Sequence, residues 1–140
     1  MRARRLRLID DDGAGERGSA VVDFVLVSVL ILALLLAVLQ VAVYVHVRNV
    51  VVASAQEGAR YAANADVPSA DGADRTVQIV AQATSEQTAQ GLACTSGEES
   101  DVTGLRLVVV RCAGSVPTLF AALGDLLPVQ VSGRAIKEGA

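Results

Sequence analysis

The sequence predicts an α+β chain: a long N-terminal transmembrane helix that continues into a small extracytoplasmic domain holding a second helix and a short antiparallel β-hairpin. Three observations carry this. An apolar run extends from Phe24 to Val45, broken only by Ser28, Gln40 and Tyr44. Residues 19–65 contain no proline and one glycine, Gly58. Two short β-branched runs, Leu105–Cys112 and Val129–Ile136, lie in the C-terminal third.

The apolar run measures about 33 Å as a helix at roughly 1.5 Å per residue, enough for a hydrocarbon core of about 30 Å. Arg2, Arg4, Arg5, Arg7 and Arg17 precede it, and only Arg48 and Arg60 follow closely. Basic residues stay on the cytoplasmic side, whereas Asp10, Asp11, Asp12 and Glu16 weigh little. The N-terminus is therefore expected inside and the remainder outside. The boundaries read as a leader over 1–18, a transmembrane helix over 19–47, its extracytoplasmic continuation over 48–65, and a disulfide-bonded domain over 66–140.

Beyond the span, Ala55, Gly58, Ala59, Ala62 and Ala63 recur at i, i+3, i+4, i+7 and i+8. They form a face of small side chains that another element approaches closely. Pro68 and the Ser69–Gly72 stretch end the helix. Asp71 is expected to cap a second helix, with Asp74 in its first turn. That helix turns Val77, Val80, Ala81 and Thr84 inward and closes near Gly91. Cys94 to Gly104 reads as a polar, acidic loop. Leu105–Cys112 and Val129–Ile136 are expected to pair antiparallel, with a short helix between them over Val116–Leu126. Cys94 and Cys112, an even pair on the exported side, read as a disulfide. The chain has 140 residues, a net charge of −3 and 3% aromatics. A domain this small with few rings gains from such a staple.

No enzymatic chemistry is legible. The one histidine, His46, stands at the outer membrane boundary. The cysteines are too far apart for a CxxC pair or a zinc site. Glu98, Glu99 and Asp101 lack calcium-loop spacing. Arg106 and Arg111 read as solvated strand residues. No P-loop, HExxH or GxSxG occurs. Neither metal nor cofactor is expected, and no basic patch points to nucleic acid.

The front edge of the span carries more. Gly18 is followed by Ser19-Ala20-Val21-Val22, then Asp23 and Phe24. An acid so close to a span is costly. Were the chain cut after Gly18, Ser19 would carry a free ammonium and Asp23 would lie one turn along, able to offset it on its own chain or on a neighbour. In the alternative reading, Asp23 merely starts the helix, where the dipole favours an acid. A signal peptide cut at Ala53-Ser54-Ala55 and a plain uncleaved anchor also stay open.

The block Glu16 to Val27, running into a Leu/Val span, resembles the N-terminus of the TadE-like family of the tight-adherence (Flp) pilus system. The block Arg48 to Ala53 and the block Glu57 to Ala62 are also similar to it. The resemblance covers roughly residues 16–63. It implies a pseudopilin-like protein whose leader a prepilin peptidase removes between Gly18 and Ser19. Asp23 then stands in place of the usual glutamate as helix-pairing acid, and Phe24 as the usual aromatic. The implied partners are the membrane, the peptidase, other pilin-like subunits and the pilus assembly platform. The alternative is a single-pass anchored scaffold or binding domain that never enters a filament.

Overall fold

The computed structural model describes residues 13–116 and 127–139. The chain separates into two compact units, Met1–Leu39 and Gln40–Ala140. Helix α1, Gly13–Ala63, contributes to both. It is followed by α2 (Asp71–Ala83), α3 (Glu86–Gln90), β1 (Leu92–Ser100), β2 (Arg106–Ser115) and β3 (Pro128–Ile136). The class is α+β, with a three-stranded antiparallel sheet of order β1-β2-β3.

Within the first unit, from Phe24 to Leu39, α1 is apolar on all sides apart from Ser28 and largely exposed. A helix hydrophobic all round belongs in a protein core or a bilayer. The hydroxyl of Ser28 donates to the Phe24 carbonyl at 2.7 Å, so the one polar side chain between Phe24 and Gln40 is satisfied by its own backbone.

In the second unit the character of α1 changes. Val47, Val51, Ser54, Ala55, Gly58, Ala59, Ala62 and Ala63 are buried, at spacings of three and four. The opposite face, with Ala53, Glu57 and Arg60, stays exposed. From this stripe Val47, Val51, Ala55 and Ala59 join Val80, Leu92, Val110, Cys112, Val116 and Val129 in one core of small aliphatic side chains, and Ala62 and Ala63 pack with Val108 in a second, smaller one.

The helix stops at Ala63, before Pro68, and its end is closed by the residues that follow the last strand. The Lys137 ammonium donates to the carbonyls of Ala62, Asn64 and Val67 at 2.9, 3.0 and 2.7 Å. The Glu138 N–H donates to the Ala63 carbonyl at 2.8 Å. Carbonyls left over at a helix C-terminus need donors, and a cation there also suits the dipole.

Helix α2 differs from expectation at both ends. Its N-cap is Ala70, which makes no side-chain capping bond, and Asp71 is the first helical residue. Asp71 and Asp74 then sit in the first turn, where the dipole favours them. The helix ends at Ala83 rather than near Gly91, because Thr84 and Ser85 redirect the chain. The Thr84 hydroxyl donates back to the Val80 carbonyl at 2.8 Å. Ser85 is extended and its hydroxyl accepts the Thr88 N–H, capping α3. Such local bonds compete with the helical ladder.

The larger correction concerns residues 94–104. Instead of a loop, Leu92–Ser100 forms β1, paired along its length with β2. Only Asp101–Leu105 turns, with Gly104 at φ +84°. The Asp101 carboxylate accepts the N–H groups of Thr103 and Leu105 at 2.8 and 3.0 Å. The expected β2–β3 pairing is present, with Val110 opposite Gly133. The short helix expected over 116–126 falls on residues that lie, from 117 on, outside the described ones.

Candidate functional site

Gly18, Ser19, Asp23 and Phe24 all lie on α1, and all are exposed. A side chain at Gly18 would meet no other atom within 4 Å. Asp23 follows Ser19 by four residues, one helical turn, so the two lie on one face. Phe24 is 72% exposed and opens an apolar surface that includes Leu26, Leu30, Leu34 and Val38. This is the one helix among the described residues long and apolar enough to cross a membrane. The arrangement offers an extended apolar contact surface with a single acid near its start.

The small residues Ala55, Gly58, Ala59 and Ala62 are buried inside the second unit. At Gly58 the backbone meets α2: a Cβ there would lie 2.5 Å from the Gly72 carbonyl oxygen and 2.0 Å from the Thr76 hydroxyl. At Ala55 it meets β3, where a Cβ on Gly133 would lie 2.3 Å from the Ala55 carbonyl carbon. Gln56 completes this contact. Its amide donates to the Arg134 carbonyl at 2.6 Å and accepts the Arg134 N–H at 3.2 Å. A side-chain amide thus pairs with the β3 edge as a neighbouring strand would.

Cys94 and Cys112 face each other across β1 and β2 and are joined by a disulfide with Cα atoms 4.1 Å apart. Towards the turn, the acids and arginines of the two strands pair. Arg111 holds Glu99 through both carboxylate oxygens, and Arg106 lies 3.5 Å from Glu98. Hydrogen bonding by Ser69, helped by Arg106 and Lys137, holds the Glu98 carboxyl below its ordinary range. Arg111 does the same for Glu99, and Thr103 for Asp101. Glu99 in turn raises the Arg111 guanidinium. These pairs are half-exposed and contribute little each; they accommodate the acids in a strand rather than build a reactive site. An open hollow of about 550 Å³ on the sheet face, lined by Ala93, Thr95, Arg111, Ala113 and Gln130, brings together no nucleophile and base.

His46 and Arg48 are exposed on α1. Tyr44, Gln56 and Lys137 hold α1 to the last strand, and sequence reasoning passed them over. For Gln56, the signal was a neutral amide among the small residues of the packed stripe.

The model of the TadE-like protein family matches residues 18–60, which begins at Gly18 and ends within α1. The match associates the chain with the tight-adherence pilus system and, together with the apolar helix, with membrane anchoring. No curated protein and no solved structure matches the chain.

Proposed function

We propose that this chain is a minor pilin-like subunit or assembly factor of a tight-adherence type pilus or related secretion machine. In this reading it crosses the membrane once through α1, with the N-terminus cytoplasmic and Gln40–Ala140 extracytoplasmic. The observation that carries the proposal is an exposed, all-round apolar helix whose family match starts at Gly18. A prepilin peptidase cuts between Gly18 and Ser19. The new Ser19 ammonium lies one turn from Asp23, on its own chain or beside another subunit's helix. Near the bilayer boundary an acid and an ammonium lower each other's cost of leaving water. Phe24 and the residues after it then pack against lipid or neighbouring helices.

The disulfide supports the assignment of sides, because such bonds persist in oxidising compartments. The buried small-residue face bears on how a filament would form. Ala55, Gly58, Ala59 and Ala62 already pack within the chain, so this face of α1 does not serve contacts between subunits.

The test is the intact mass of protein purified from the membrane of a host with its own prepilin peptidase. A chain beginning at Ser19 is expected, and Gly18→Leu should abolish the cut and piliation together. A full-length chain, with piliation indifferent to Gly18, would replace this reading with that of an anchored scaffold.

A further inference from the structure

On α1, two surfaces overlap in sequence. One face packs into the domain from Gln40 onward: Gln40 and Val47 are 9% and 8% exposed, and Val43 and Tyr44 lie against the core between them. The other face stays apolar and open beyond that point. Val41 and Val45 are 62% and 47% exposed and continue, at helical spacing, the exposed surface of Val38. Polar residues take over on this face only at His46, Arg48 and Asn49, all exposed. The domain therefore begins about 7–8 Å along the helix before the apolar surface ends, at roughly 1.5 Å per residue. A headgroup layer is roughly 5–7 Å deep on each side of the hydrocarbon core. The overlap is thus about as long as one headgroup layer is deep.

What lies at the level of this overlap is the start of β3. The Tyr44 hydroxyl donates to the Pro128 carbonyl at 3.1 Å, and Leu127 packs against the same core. Tyrosine favours the membrane–water boundary, where its ring is in apolar surroundings and its hydroxyl is wet.

We propose that the base of the domain, Tyr44 with Leu127 and Pro128, sits within the lipid headgroup layer and takes phospholipid headgroups as its partner, instead of standing clear of the bilayer. This rests on the membrane reading above. The lipid is chosen as occupant because Val41 and Val45 extend the spanning surface without a break. The β1–β2 turn, at the other end of the sheet, stays in water; Val102 there is fully exposed.

The experiment uses the full chain in phosphatidylcholine–phosphatidylglycerol vesicles. Cys94 and Cys112 are joined, so a single introduced thiol reports alone. Pro128→Cys, Gln130→Cys, Val102→Cys and Leu30→Cys are each labelled with an environment-sensitive fluorophore. Quenching by nitroxides on headgroups or deep in acyl chains is compared with quenching by aqueous iodide. Labels at 128 and 130 should be quenched by headgroup nitroxides roughly threefold or more over the label at 102. The Leu30 label should respond to deep nitroxides. Labels at 128 and 130 that behave like that at 102, with Leu30 still deep, would overturn the headgroup contact and leave the membrane span intact. Protection at 128 and 130 from lipid and iodide alike would also overturn it, in favour of a protein cover. A Leu30 label open to iodide would remove the membrane reading itself.

Discussion

At Gly58 and Gly133 the backbone of α1 passes so close to α2 and β3 that no side chain fits. Gly58→Ala gains about 1 kcal/mol in helix propensity, yet its methyl meets the Thr76 hydroxyl and the Gly72 carbonyl. Overpacking of this kind costs about 1–3 kcal/mol. Gly133→Ala meets only backbone atoms of Ala55 and Gln56, which yield less. Both should lower the thermal midpoint of the full chain in detergent, and Gly133→Ala should lower it more. Lys137 is the other decisive residue. Lys137→Met leaves the Ala62 carbonyl in the last turn of α1, and those of Asn64 and Val67 in the turn after it, without their charged donor. A loss of about 1.5–3 kcal/mol is expected, together with faster amide exchange over the last turn of α1. Full protection there would show that the three bonds are dispensable.

The sheet is the element most dependent on its pairing partners. The carboxyls of Glu98 and Glu99 have folded values below the ordinary 4.5. A depressed carboxylate contributes stability above its unfolded value and loses that contribution as pH falls through the folded one. The thermal midpoint should therefore be insensitive to Glu98 and Glu99 above pH 4.5 and fall below it, and the fall should be shallower in Glu99→Gln. The disulfide is a second constraint on the β1–β2 pair. It closes a separation of 18 residues, for which the chain-entropy model gives roughly 3 kcal/mol. Cys94→Ser with Cys112→Ser should lower stability by about that amount, read by denaturant titration. β2 and β3 were legible because Leu105–Cys112 and Val129–Ile136 are β-branched and short. β1 was not, because Glu98, Glu99 and Ser100 resemble a loop until Arg106 and Arg111 are placed opposite them.

For the molecule as a whole, the long apolar segment decides where the protein resides. Leu30 is exposed within the apolar run, about two helical turns from its start. An arginine costs about 2.5–3.5 kcal/mol at the centre of an inserted helix. Leu30→Arg should shift the protein out of the carbonate-washed membrane fraction, whereas Val102→Arg at the β1–β2 turn should leave it there. Equal retention of both variants would show that the helix is not held in lipid.

The sequence alone determined the long apolar helix, the α+β class, the β2–β3 pairing, the disulfide partners and the family resemblance that residues 18–60 match. Each of these is written in local composition, in a period of two or 3.6, or in the parity of two cysteines. The tertiary structure decided the rest: that residues 92–100 pair as a strand, that α2 breaks at Thr84 and Ser85, and that Lys137 closes a helix end more than 70 residues earlier. It also decided that one face of α1 joins the domain from Gln40 while the other remains apolar to Val45. These depend on what stands opposite each residue in space, which a one-dimensional pattern does not record.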